Sequence, residues 1–136
     1  MGALIPMELS KLVISEVREE QVLVLKEIQG GRSFPIVIGI HEAAAIDRGI
    51  RGYKAQRPLT HDLVRNVIEG MDAVLKSVVI NDLKDSTFFA TLVLQRNGSE
   101  VRIDSRPSDA IALATQMKVP IFVDEAVLQE VGATEG

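Results

Sequence analysis

The segment richest in side chains able to do chemistry is Asp104-Ser105-Arg106-Pro107-Ser108-Asp109-Ala110-Ile111-Ala112-Leu113-Ala114. It sets two carboxylates and a guanidinium where a strand-like run gives way to a helical one. Pro107 suits a first helical position, and Asp109 then falls in the first turn beside unpaired amides. Small apolar residues follow, so the helix can approach a sheet closely. Asp104 and Arg106 are not needed for that packing. A bidentate Asp104–Arg106 pair locking the turn and a chemical role for both are equally compatible with the pattern.

Other groups of interest are spread along the chain. Glu42, Asp62, Asp82, Asp124 and Glu125 join Asp104 and Asp109 as oxygen donors of the kind Mg²⁺ or Mn²⁺ takes, but no spacing among them specifies a metal site. Glu42, Asp62 and Asp109 fall in expected first helical turns and Asp124 at an expected N-cap, where a carboxylate needs no further role. The two histidines, His41 and His61, each directly precede a carboxylate at an expected helix start. Imidazole suits acid–base work near neutrality. Ser105 and Ser108 read better as capping residues than as nucleophiles.

Composition narrows the classes. With no cysteine among 136 residues, disulfides, thiol catalysis and sulfur-bound zinc are excluded. No apolar run approaches a membrane span, and the first residues lack the pattern of a signal peptide, which leads to the expectation of a cytoplasmic protein. The formal charge is −4, unevenly distributed. Arg48, Arg51, Lys54, Arg57 and Arg65 crowd a segment in which Asp62 is the single acid, a local surface fit for a polyanion or an ordinary solvated face. One Tyr, four Phe and no Trp leave few stacking platforms for nucleic acid.

The elements that must position these groups alternate between strands and helices. Apolar periodicity marks a hairpin over 9–18 and 21–28, then a short buried strand over 34–40. A helix opens at Glu42, with Gly49 and Gly52 expected to weaken or stop it. A second helix is expected to be capped by Thr60, with Leu63, Val67 and Met71 one turn apart and Val64 and Ile68 alongside. Strands over 75–83 and 87–95 follow, and Asn97-Gly98 signals a tight hairpin to 100–103. A helix over 107–117, a strand over 119–123 and a terminal helix from Asp124 to Gly132 complete the reading. The whole predicts one α+β domain over 1–136, a compact mixed β-sheet with interspersed helices, its ends (about 1–7 and 132–136) frayed. Ile38-Gly39-Ile40-His41-Glu42-Ala43 loosely echoes the segment beginning at Ile103, which suggests a degenerate internal duplication. No glycine-rich phosphate loop is present.

Ser105-Arg106-Pro107-Ser108-Asp109-Ala110-Ile111-Ala112-Leu113-Ala114 with Val119-Pro120-Ile121-Phe122-Val123-Asp124-Glu125 resembles the core motif of the bifunctional nuclease family. Phe34-Pro35-Ile36-Val37-Ile38-Gly39 with Glu42-Ala43, and Arg57-Pro58-Leu59-Thr60-His61-Asp62-Leu63, resemble its other blocks. The resemblance implies a small mixed α/β domain, often dimeric, with deoxyribonuclease and ribonuclease activity; the needs of phosphodiester cleavage lead to the further expectation of metal assistance and little sequence preference. Side-chain chemistry within the matching blocks then assigns Asp104, Arg106, Asp109 and His61 to catalysis and Asp104, Asp109, Glu42 and Asp62 to Mg²⁺ or Mn²⁺. Arg48, Arg51, Lys54, Arg57 and Arg65 are assigned to the nucleic-acid backbone. A non-enzymatic dimeric binding or regulatory module, its acidic residues structural, is the alternative. The apolar strands around Val78-Val79-Ile80 and Phe88-Phe89 require a second layer, supplied by helices or by another subunit; a homodimer is the expectation.

Overall fold

The computed structural model describes residues 2–135, with side chains through residue 133. Among the described residues, eight strands form one mixed sheet and four helices accompany it. The first half runs β1 (Leu4–Val13), β2 (Glu20–Glu27), β3 (Arg32–Gly39) and α1 (Ile40–Arg51). After α2 (Thr60–Gly70), the second half runs β4 (Ala73–Lys84), β5 (Thr87–Arg96), β6 (Ser99–Ser105) and α3 (Pro107–Met117). The chain closes with β7 (Ile121–Asp124), α4 (Glu125–Glu130) and β8 (Thr134–Glu135).

The sheet order is β6-β5-β4-β7-β1-β2-β3-β8. Two antiparallel meanders therefore run outward from a shared central strand, β7, which pairs parallel with β4 and antiparallel with β1. The halves keep a constant separation of 67 residues: β2 and β5 begin at 20 and 87, β3 and β6 at 32 and 99, α1 and α3 at 40 and 107. The leading strand of each meander carries a register shift, between Leu9 and Lys11 in β1 and between Leu75 and Ser77 in β4. The suspected duplication thus has a structural counterpart, and it equates Glu42 with Asp109.

Alternation along the strands builds one continuous apolar face. Leu25 pairs with Phe34, Ile80 with Val123, and Leu92 with both Val78 and Ile103 across the sheet. In a flat sheet β3 and β5 would stand about 24 Å apart at ordinary strand spacing. Yet the rings of Phe34 and Phe88 stack with centroids 5.7 Å apart, so the sheet curls until its two wings meet. Phe88 packs on the core of its own chain, and Val78, Val79 and Ile80 are buried. The second layer these strands require comes from within the domain.

α3 lies against this face with Ala110, Ile111, Ala112, Leu113 and Ala114 all buried, too apolar around its circumference to be a surface helix. α1 runs parallel beside it and contributes Ala43 and Ile46 to the core. The helices meet at Gly49, where a Cβ would stand 2.8 Å from Thr115 Oγ1. Gly49 therefore does not stop α1; it admits α3. The helix ends at Gly52, in the left-handed region at φ 69°.

Several expectations are corrected. Residues 4–7 do not fray but pair with β7, and Thr134 pairs with Ser33; residues 1 and 136, also placed in the frayed ends, lie outside the described residues. Thr60 is the first residue of α2, not its cap; Leu59 occupies that place, and Asp62 reaches back to accept its N–H at 2.9 Å. On α2, Ile68 is buried and Val64 partly so, while Leu63, Val67 and Met71 are more than half exposed. The 97–98 hairpin forms as read, with φ 52° at Asn97 and 77° at Gly98. Among the described residues no helix is long and apolar enough to cross a membrane.

Candidate functional site

Each of the first three helices carries its acid at the third helical position: Glu42 in α1, Asp62 in α2 and Asp109 in α3. Only Asp62 is spent on its own helix start. Its other oxygen accepts from Gln116 Nε2 at 2.7 Å, which ties α2 to the end of α3. Glu42 and Asp109 turn instead towards Arg106, the N-cap residue of α3. Arg106 Nε donates to Asp109 Oδ2 at 2.9 Å, its Nη2 lies 3.3 Å from Asp109 Oδ1, and the same Nη2 lies 3.9 Å from Glu42 Oε2. Gly39 makes this possible for Glu42, because a side chain there would collide with the Glu42 carboxylate.

Asp109 has a second partner. His61 Nε2 sits 2.9 Å from Asp109 Oδ1, with the imidazole about one-fifth exposed. Partial burial pushes the Asp109 carboxyl upward, but hydrogen bonds from Arg106 and His61 outweigh it and hold the group below the ordinary carboxylate range. The hydrogen bond to Asp109 in turn raises the Arg106 guanidinium above its ordinary value. An ionised carboxylate accepts only, so the proton of neutral His61 resides on Nε2 and Nδ1 is left as a free acceptor. This is the arrangement of a base oriented by a carboxylate.

His61 and Asp62 also border a cleft of about 550 Å³ between the second half of α1, the loop over 52–59, α2 and the end of α3. Arg48, Lys54, Arg65 and Lys118 line it together with Asp62 and Glu69, and Arg65 Nε lies 3.4 Å from Glu69 Oε2. Arg51 is turned to Asp47 at 3.0 Å and borders a neighbouring hollow of about 340 Å³. Arg57 lines neither. Lys118, Tyr53 and Gln116 were not expected in the site. A signal existed for Lys118: it caps α3 at φ 57°, where glycine or asparagine is the usual choice.

The remaining assignments separate. Asp104 does not pair with Arg106; strand alternation places it on the face opposite Ile103, exposed and with no side-chain hydrogen bond among the described residues. His41 is exposed at the start of α1 and forms no described contact with His61. The four expected metal ligands do not converge. Asp104 faces outward, Asp62 is engaged by Leu59 and Gln116, and a guanidinium is set against both Glu42 and Asp109. Among the described residues no three His, Asp or Glu side chains gather closely enough to hold a cation. This donor set does not fit a resident Mg²⁺ or Mn²⁺, because the positive charge between the two carboxylates is already supplied.

Asp124 caps α4, accepting from Ala126 N at 3.0 Å, and Glu125 binds Arg32 through both oxygens at 2.7 and 2.8 Å. Glu27 holds the other side of that guanidinium at 2.8 Å. These acids are structural.

A family model described as the bifunctional nuclease domain matches residues 23–135. An uncharacterized protein of Mycobacterium tuberculosis is 44% identical over 119 residues, covering 88% of this chain and 71% of that protein. Bifunctional nuclease 2 of rice is 30% identical over 118 residues, and bifunctional nuclease 1 of Arabidopsis thaliana 30% over 107. They match 84% and 76% of this chain, which spans 36% and 33% of their own lengths.

Proposed function

Because the chain belongs to the bifunctional nuclease domain family, we propose that it cleaves phosphodiester bonds of DNA and RNA with little sequence preference. The observation that carries this reading is the His61–Asp109 pair, braced by Arg106, with His61 bordering a cleft in which four cations outnumber Asp62 and Glu69. His61 Nδ1 takes a proton from an attacking water, and the new P–O bond forms as the bond to the leaving oxygen breaks. Solvent returns a proton to that oxygen. Asp109 holds the imidazole in the required tautomer and stabilises the imidazolium. Arg106 offsets charge on the phosphoryl oxygens. Arg48, Lys54, Arg65 and Lys118 grip the backbone, and contacts of that kind carry no sequence information.

A second reading, a binding module without catalysis, draws on the bidentate Arg106–Asp109 bond, which by itself would serve to fix the start of α3. One experiment separates the two. Wild type, His61→Asn and Asp109→Asn receive DNA and RNA in chelator and in added Mg²⁺ or Mn²⁺. Cleavage by wild type and its loss in both variants support the nuclease. Equal residual cleavage in all three overturns it, and the cation arms show whether a metal arriving with the substrate contributes.

The proposal includes a cytoplasmic homodimer. Leu59, Leu63, Val67 and Met71 follow one another at four-residue intervals along α2 and are exposed by 39%, 56%, 51% and 51%. A second copy's α2 offers a matching ridge. Sedimentation equilibrium of wild type against Val67→Glu tests this; a 14.8 kDa particle for wild type at high concentration overturns it.

A further inference from the structure

We propose that Tyr53 is a base-stacking platform and that the basic cleft therefore takes unpaired nucleotides, in single-stranded RNA or DNA, in preference to duplex. This rests on the nuclease reading and names its substrate class. Tyr53 is the chain's one tyrosine, and there is no tryptophan. The phenylalanines are buried or partly buried, whereas Tyr53 is 62% exposed, with no side-chain hydrogen bond among the described residues. An exposed tyrosine is unremarkable alone. Here it borders both the 550 Å³ cleft and the 340 Å³ hollow, and Arg48 borders both with it.

The ring's base is fixed. Gly52 ends α1 in the left-handed region, and the Tyr53 N–H donates to Arg48 O at 3.0 Å. Ring and guanidinium thus leave the same helix end together. A phosphate held by Arg48 brings its own base within reach of the Tyr53 ring. That base is free to stack only if it is unpaired. In a duplex both its faces are occupied, and freeing one costs a few kcal/mol. Every base offers a π-face, so stacking of this kind discriminates strandedness without reading sequence.

The chain supplies its own probe, since tyrosine emission reports this residue alone. A 12-nucleotide single-stranded DNA, the RNA of the same sequence, a hairpin duplex and inorganic polyphosphate are titrated into the full chain in chelator at fixed salt. Binding is followed by anisotropy and by tyrosine emission. The single strands should bind more tightly than the hairpin and quench emission, while polyphosphate binds without quenching. Tyr53→Ala should weaken single-strand binding by about 5- to 150-fold and leave the hairpin unchanged, with Tyr53→Phe close to wild type. Equal binding of single strand and hairpin, or undiminished single-strand binding by Tyr53→Ala, overturns the proposal while leaving the nuclease reading standing. Failure of every nucleic acid to bind removes both.

Discussion

His61 reaches Asp109 across two helices: Nε2 on α2 lies 2.9 Å from Oδ1 on α3, and Arg106 grips the same carboxylate through its other oxygen at 2.9 Å. A carboxylate used only to satisfy the start of its own helix would need neither partner. Asp62, at the corresponding place in α2, spends one oxygen on its own helix start and gives only the other to a neighbouring helix, through Gln116.

Cleavage should fall by about 10²- to 10⁴-fold in His61→Asn, the usual range for loss of a general base. Asp109→Asn should lose a comparable amount, because an amide can donate to Nε2 and move the imidazole proton onto Nδ1. Single-turnover rates at saturating protein measure both. A wild-type rate in either variant removes the pair from the mechanism.

Acid should destabilise the domain partly through Asp109. Its folded-state pKa lies below its unfolded value, so between the two the unfolded chain binds more protons and stability rises with pH. The contribution is complete above about pH 4, the unfolded Asp value, and is lost as pH falls through the folded one. Urea midpoints at pH 7, 4 and 3 should show a shallower acid loss in Asp109→Asn than in wild type.

Arg32 binds Glu27 and Glu125, and its hydrogen bonds hold both carboxyls below the ordinary glutamate range. Their stabilisation is likewise present above about pH 4.3 and lost as pH falls. Arg32→Met should lower the melting temperature at pH 7, by leaving two carboxylates facing each other. The gap from wild type should narrow on acidification, and a constant gap would contradict the linkage.

Gly49→Val should destabilise the domain by about 1–3 kcal/mol, the cost of forcing atoms into a close-packed contact. The nearest obstacle, Thr115 Oγ1, already donates to Ala112 O at 2.9 Å and gives way only by losing that bond. Gly70→Val, where nothing lies within 4 Å of the new atom, is the control for helix propensity. Chemical denaturation of both decides.

Removing a cleft cation should flatten the salt dependence of nucleic-acid binding by about 0.7–0.9 in log–log slope for each phosphate no longer neutralised. Arg48→Ala and Lys118→Ala are expected to do so. Arg57→Ala, from the same basic segment but outside the cleft, is expected to leave the slope alone.

The start of α3 was legible because its determinants are local. Pro107 and Asp109 specify the beginning of α3, and the 97–98 turn needs the left-handed backbone that Asn-Gly accepts. The partner of Arg106 was not legible: sequence proximity favours Asp104 and Asp109 alike, and Glu42 enters only once α1 lies parallel to α3. Gly49 reads as a helix breaker until the neighbouring helix supplies a reason for the missing side chain. Amphipathic spacing likewise assigned Leu63, Val67 and Met71 to one face without saying what covers it. The pairing of His61 with Asp109 spans 48 residues, and no local pattern encodes it.

The position of β7 bears on how the chain is made. It lies in the middle of the sheet, yet it follows both meanders in the chain, so both are synthesised before it. Each meander can close during synthesis from contacts between neighbouring strands, but β1 and β4 then await the same partner with open backbone edges. A nascent chain stalled before residue 121 therefore displays two sticky strands on two half-domains, a species prone to join its neighbours on a polysome. Four residues, Ile121–Asp124, end that hazard by filling both edges at once.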